Sequence, residues 1–172
     1  AGCNALGLSG ADANVLRAVR RPVVSTDYGF VGDVSPANVH TDFLKMMLDA
    51  AITPVMCAIT YDGEGQLLNT NADTVAAVIA IAMSRVYPTR LLLCFEKKGV
   101  LRDIHDDNSI IPAIRASEWA HLKDAGVIHS GMIPKIENAF QALSQGVETV
   151  RILHADDLAA AGSGVAAGTL LY

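Results

Sequence analysis

Three short, nearly unbroken apolar runs constrain the fold of this 172-residue chain more than any other feature. Val55-Met56-Cys57-Ala58-Ile59, Arg90-Leu91-Leu92-Leu93-Cys94-Phe95 and Thr149-Val150-Arg151-Ile152-Leu153 lack the polar alternation of a half-exposed strand. Each therefore reads as a strand buried on both faces of a parallel sheet. Helical patterns lie between them. Ser35-Pro36-Ala37-Asn38 is a helix-start signal followed by Val39, Phe43, Met46, Met47 and Ala50 at helical spacing. Thr74 to Val86 is mostly Ala, Val, Ile and Met with neither Gly nor Pro, and Ile133, Ile136, Phe140 and Leu143 fall on one side of a third helix. Apolar strands alternating with helices place the chain in the doubly wound α/β class.

The remaining segments fill in this outline. Asn4 to Leu8 reads as a short buried strand, and Val15 to Val24 as a hairpin or edge ribbon that continues through Tyr28-Gly29-Phe30-Val31-Gly32-Asp33-Val34. The two glycines there either shape a bend or allow close backbone approach. Asp62-Gly63 marks the turn before a short Leu67-Leu68 strand. Ser117 is expected to cap a helix that Gly126 ends, and the Ala/Gly-rich stretch from Ala159 to Ala167 reads as a loose helix end or a loop. The length suits one domain, 1–172, and the hydrophobic fraction of 51% supports a substantial core.

Charge and cysteine usage narrow the function classes. A net charge of −5 without any long Lys/Arg block argues against a nucleic-acid or anionic-membrane surface. No uncharged apolar run reaches the roughly 18 residues of a membrane span, so a cytoplasmic protein is expected. Cys3, Cys57 and Cys94 are far apart and read as reduced, buried thiols. The five histidines show no metal-ligand spacing, and no metal site is expected. Ala1 to Leu8 enters an apolar segment with no initiator Met and no polar lead-in, which reads as a piece of something longer.

Candidate chemistry gathers in a few places. Asn69, Asn71 and Asp73 stand immediately ahead of the Thr74 helix, with Asn71 as N-cap and Asp73 as a first-turn acid. They are either simple capping residues or part of an anion site at the helix N-terminus. Glu96-Lys97-Lys98-Gly99-Val100-Leu101 follows a buried strand at the end where open α/β sheets place ligands; its lysines either meet phosphates or are solvated. Lys135 lies in the first turn of a helix, where a cation is electrostatically unfavourable unless an anion binds there or the side chain is merely exposed.

Three motifs together go further. Leu67-Leu68-Asn69-Thr70-Asn71-Ala72-Asp73, Tyr28-Gly29-Phe30-Val31-Gly32-Asp33-Val34 and Gly131-Met132-Ile133-Pro134-Lys135 occur in the order and approximate spacing of acetylglutamate kinases. The chain resembles the C-terminal two-thirds of those arginine-biosynthesis enzymes, from Leu6-Gly7-Leu8-Ser9-Gly10 to Gly168-Thr169. The resemblance implies the amino-acid kinase fold, a three-layer αβα sandwich with a mainly parallel open sheet, here without its N-terminal part. It implies phosphoryl transfer from ATP, with Mg2+ bound through the nucleotide, to the γ-carboxylate of an N-acyl-L-glutamate. It also implies a homodimer or higher oligomer.

Carried onto this chain, Asn69 binds the substrate's α-carboxylate end, Lys135 neutralises the transferring phosphoryl group, and Asp73 holds lysines in place. Residues 9–34 form a substrate-side ribbon that shapes the acyl pocket, acetyl or succinyl. The nucleotide lies against Glu96, Lys97, Lys98, Gly99, Val100 and Leu101 and against Val127, Ile128 and His129. Phe95-Glu96-Lys97 departs from the family's usual Ser/Thr-Asp-Val run and alters the adenosine side. The family's phosphate-gripping lysine and substrate-clamping arginine are not in these 172 residues, so this polypeptide alone is expected to be nearly inactive. The alternatives are a kinase of the same fold for another acidic substrate and a non-catalytic nucleotide-binding regulatory domain.

Overall fold

A computed structural model describes residues 2–128 and 130–172. The chain divides into two compact units, one ending at Met83 and the other beginning at Ser84. The first holds β1 (Ala5–Leu8), β2 (Val19–Arg20), β3 (Gly32–Asp33), α1 (Thr41–Asp49), β4 (Thr53–Met56), β5 (Ile59–Tyr61), β6 (Leu67–Asn69) and α2 (Ala72–Met83). The second holds β7 (Arg90–Phe95), β8 (Ala113–Ile114), α3 (Ala116–Asp124), α4 (Ile133–Ser144), β9 (Thr149–His154), α5 (Leu158–Gly162) and β10 (Thr169–Leu171). Parallel strands joined through helices give the expected α/β class in both.

In the first unit β1 and β4 pair in parallel, with Leu8 opposite Met56. Two antiparallel ribbons, β2–β3 and β5–β6, stand beside them. The ribbons are tied at single bridges, Arg17 to Tyr61 and Val31 to Asn69. At their junction the chain passes with almost no space to spare. A Cβ on Gly32 would lie 2.9 Å from the Cβ atoms of Ala18 and Leu68 and 3.0 Å from Thr60 Oγ1. Two buried hydroxyls satisfy the local backbone. Thr60 Oγ1 reaches the Leu68 carbonyl at 3.2 Å, Thr70 Oγ1 reaches that of Gly32 at 3.2 Å, and the two hydroxyls meet at 2.8 Å. Thr70 also donates its amide to Ala58 at 3.0 Å.

Several local expectations are corrected here. The apolar run at 55–59 is two strands with a break at Cys57-Ala58. Neither β1 nor β4 is buried on both faces: Leu6 is 48% exposed and Val55 54%. Among the described residues the β1–β4 sheet has two strands, without the lateral neighbours that flank a central parallel strand. The helix after Ser35 is also shifted. Pro36–Asn38 forms a 3-10 turn, Val39 is extended at φ −87°, and α1 starts only at Thr41. That break resets the helical phase, so Leu44 and Met47 turn inward while Met46 is 57% exposed. The cysteines are free but exposed: two flank the ends of β1 and β4, and Cys94 takes an outward position of β7.

In the second unit the sheet order is β7-β9-β10-β8. β7 and β9 are parallel, with Phe95 opposite His154, and β8 and β10 are parallel; β10 runs antiparallel to β9. Buried Val150, Ile152 and Leu153 of β9 form its centre with Leu91, Leu93, Ile114 and Leu171. α4 packs on β9 through Ile136, Ala139 and Ala142, all fully buried. α3 starts two residues earlier than expected. Arg115 takes the capping position, its amide donating to Glu118 Oε2 at 3.3 Å, and Ser117 is left inside the first turn.

Replacing Gly32 by Ala is expected to destabilise the first unit by about 1–3 kcal/mol through overpacking against Ala18 and Leu68. Chemical denaturation monitored by circular dichroism checks this, and wild-type stability in Gly32→Ala would contradict the packing described.

Candidate active site

The C-terminal ends of β7 and β9 lie side by side, and the chain leaves β7 at Phe95 into the 96–101 segment. Gly99 lets that segment settle onto β10, since a Cβ there would stand 2.8 Å from Thr169 Oγ1. The buried Thr169 hydroxyl accepts the Val100 amide at 2.8 Å and donates to the Ile111 carbonyl at 2.7 Å. Ile111 in turn donates its amide to Val100 O at 2.8 Å, and Leu101 bridges to Ile110. Residues 102–109 therefore form an excursion closed at its base. Inside it Ser109 Oγ donates toward the Asp103 and Asp106 carbonyls and accepts the Asp103 amide.

Between this segment and the chain that leads into α4 is a cavity of about 720 Å³. Phe95, Val100, Leu101 and Ile104 form much of one side, and Val127, Ile128 and Met132 the other. Glu96, Lys97, Gly99, Arg102, Asp103, Gly126 and Gly131 complete it. Size and lining are those of a small-molecule site, apolar with a few charged groups. One cation of the lining is already engaged: Lys97 Nζ donates to Asp107 Oδ1 at 2.7 Å. The hydrogen bond, reinforced by the opposite charge, holds the Asp107 carboxyl below the usual aspartate range and raises the Lys97 ammonium.

Beside the cavity, α4 opens with Ile133 and Pro134, which leaves Lys135 as its third residue. Proline is well suited to this first turn because its missing N–H has no intrahelical partner there. Lys135 is half-buried, and its ammonium lies 5.9 Å from the centre of the Phe95 ring.

In the first unit, β6 delivers Asn69, exposed, to the start of α2; its amide donates to the Phe30 carbonyl at 2.7 Å. Asn71 caps the helix, its Oδ1 accepting the Thr74 amide at 3.0 Å. Asp73 is the second residue of α2 and half-buried. Val31 of the ribbon is bridged to Asn69, so residues 9–34 reach the segment that carries the two asparagines. The ribbon is held by its own charges. Arg21 clasps Asp33 with a bidentate contact, while Arg20 lies over Phe30 at 5.1 Å and Arg21 over Tyr28 at 5.4 Å.

Of the residues expected to meet a nucleotide, Glu96, Lys97, Gly99, Val100, Leu101, Val127 and Ile128 line one cavity. Lys98 is exposed and outside the lining, and His129 lies outside the described residues. Asn69 and Asp73 share the turn into α2. Sequence reasoning did not assign Arg102, Asp103, Ile104 and Met132 to the site. Met132 directly precedes a helix start already singled out, which was its available signal; Arg102 to Ile104 are brought in by the Thr169 contact from far along the chain. Among the described residues no group of three or more His, Cys, Asp or Glu side chains is placed to hold a metal ion, and no helix is long and apolar enough to cross a membrane.

Comparison with known families matches residues 1–154 to the amino acid kinase family. The chain belongs to the amino acid kinase family. It is 51% identical over 151 residues to an acetylglutamate kinase of Phocaeicola vulgatus, a match that covers 88% of this chain and 58% of that protein. With an acetylglutamate kinase of Cytophaga hutchinsonii the identity is 48% over 157 residues, covering 91% and 59%. The chain thus spans under two thirds of the length of these family members. Among solved structures, smu.665 from Streptococcus mutans superposes with a TM-score of 0.78 at 28% identity, over 99% of this chain and 61% of that one. Giardia carbamate kinase shares the fold with a TM-score of 0.64 at 13% identity, over 98% and 62%. The amino-acid kinase fold expected from the motifs is the fold observed.

The Lys97–Asp107 bridge makes a signed pH prediction for this family member. The folded Asp107 carboxyl titrates below its unfolded value, so the bridge contributes above the unfolded value and is lost as pH falls through the folded one. Lys97→Met is expected to return Asp107 toward the ordinary aspartate range in an NMR titration; an unchanged Asp107 would contradict the pairing.

Proposed function

We propose that this chain forms the nucleotide-binding part, and a share of the substrate side, of an acylglutamate kinase of arginine biosynthesis. The reaction is transfer of the γ-phosphoryl of ATP to the γ-carboxylate of an N-acyl-L-glutamate, acetyl or succinyl. The observation that carries this reading is the cavity. Seven residues that the family resemblance marks as nucleotide-contacting lie on its wall, and its apolar faces suit a purine base. ATP fits the donors present: apolar side chains for the base, Lys97 and Arg102 at the lining, and Lys135 on the adjoining helix start. Mg2+ on this reading is carried by the nucleotide's phosphates, in keeping with its usual preference for phosphate and water oxygens.

The chemistry asks little of a base. A carboxylate nucleophile is already ionised near neutral pH, so the residues need only position the partners and offset developing charge. Lys135 supplies positive charge for the transferring group, Asn69 hydrogen-bonds the α-carboxylate end of the acylated glutamate, and Asp73 orients lysines through its negative charge. The bound phosphoryl group also resolves the placement of Lys135 at a helix N-terminus, where cation and helix dipole together meet an anion. The exposed apolar sheet β1–β4 supports the view that further chain completes the enzyme.

A coupled ADP-release assay on the intact gene product, offered N-acetyl-, N-succinyl- and free glutamate, tests the reading. Turnover of an N-acylated substrate is expected, and turnover of none would overturn it. In the same assay Lys135→Ala is expected to lower kcat by about a hundredfold or more, the scale of losing one electrostatic contact to a transition state. A wild-type rate would make Lys135 a surface residue.

A further inference from the structure

We propose that Phe95 is a positioning residue for Lys135, its ring face holding the ammonium beside the nucleotide cavity; this rests on the kinase reading above. Lys135 is the third residue of α4, within the turn where unpaired amides and the helix dipole disfavour a cation. The Phe95 ring centre stands 5.9 Å from Lys135 Nζ, within the range at which an aromatic face attracts an ammonium.

Phe95 is well anchored for the task. It is the last residue of β7, paired in register with His154 of β9, and so belongs to a rigid strand rather than to the 96–101 segment. The same ring lines the cavity, and it is half-buried. One side chain therefore touches both the space assigned to the nucleotide and the cation assigned to its phosphates. A residue with a short hydroxyl at this position could not hold a cation by its face. The aromatic ring at 95 and the lysine at 135 are thus coupled choices in this sequence.

The coupling predicts a selective effect. If Phe95 acts through Lys135, its loss weakens binding of ligands that carry phosphates and spares those that do not. If it is only cavity wall, adenosine and ATP suffer equally. Titration calorimetry of the intact gene product with ATP and with adenosine tests this on wild type, Phe95→Leu, Phe95→Tyr, Lys135→Met and the Phe95→Leu/Lys135→Met double variant. Phe95→Leu is expected to weaken ATP about fivefold or more beyond any effect on adenosine, the scale of a partly desolvated cation–π contact. Phe95→Tyr, which keeps the ring, is expected to retain the wild-type ATP-to-adenosine ratio. In the Lys135→Met background, Phe95→Leu is expected to cost ATP no more than adenosine, because the interaction it serves is gone.

Equal losses on both ligands, or full additivity in the double variant, overturn the proposal. Failure of every variant and of wild type to bind either ligand counts against the kinase reading instead. The contact itself is then read without any ligand, by NMR of the reductively 13C-methylated chain. The Lys135 signal, identified by its disappearance in Lys135→Met, is expected to be displaced upfield by the ring, to move back in Phe95→Leu and to stay in Phe95→Tyr. A Lys135 signal indifferent to Phe95→Leu overturns the proposal on its own.

Discussion

The hydroxyl of Thr169 holds together the part of the molecule in which a ligand would sit. It receives the Val100 amide and gives its proton to the Ile111 carbonyl, so the base of the 102–109 excursion is fixed on both sides to one strand near the C-terminus. Each of these buried groups would otherwise lack a partner, a loss of about 1–3 kcal/mol apiece. The wall made by Val100, Leu101 and Ile104 exists because that strand arrives. A valine at 169 would keep the shape and remove both bonds.

A similar arrangement serves the first unit. The Thr60 and Thr70 hydroxyls meet in the interior within reach of the Leu68 and Gly32 carbonyls, tying β5, β6 and the β3 end of the ribbon at a single point. From that point the backbone runs one residue to Asn71 and the start of α2. The position of the capping asparagine is thus set by buried hydroxyls, and its exposed neighbour Asn69 inherits a fixed backbone on an otherwise solvent-facing edge. In both units the hydroxyl ties lie in the interior and the candidate site residues at their rim.

Much of this was legible because it is local. The Asn71 cap, the proline in the first turn of α4 and the end of α3 at Gly126 each depend on residues within one helical turn. Strand β7 and strand β9 were legible from apolar runs, and most of the residues that the resemblance assigned to the nucleotide fell into one cavity. The rest depends on distance along the chain. The Thr169 bond to Val100 joins residues 69 apart, and the Thr70 bond to Gly32 joins residues 38 apart. No spacing rule carries such information. The phase of α1 departs from the residue spacing for a different reason: a 3-10 turn interrupts the pattern, so Val39 and Met46 do not share a helix. Apolar runs likewise report what a strand prefers, not whether a covering layer is present, and β1 and β4 illustrate the difference.

That open sheet bears on how the chain meets other copies of itself. Leu6 and Val55 face solvent from two adjacent parallel strands, and an unpaired strand edge accompanies them. Such a surface is a template for further pairing, and nothing on it repels a second copy: Ala5 to Leu8 and Thr53 to Met56 contain no charged residue. The net charge of −5 is carried elsewhere and gives only weak protection at the ionic strength of a cell. The uncharged strands β1 and β4 thus carry a pairing surface that the overall composition does not reveal.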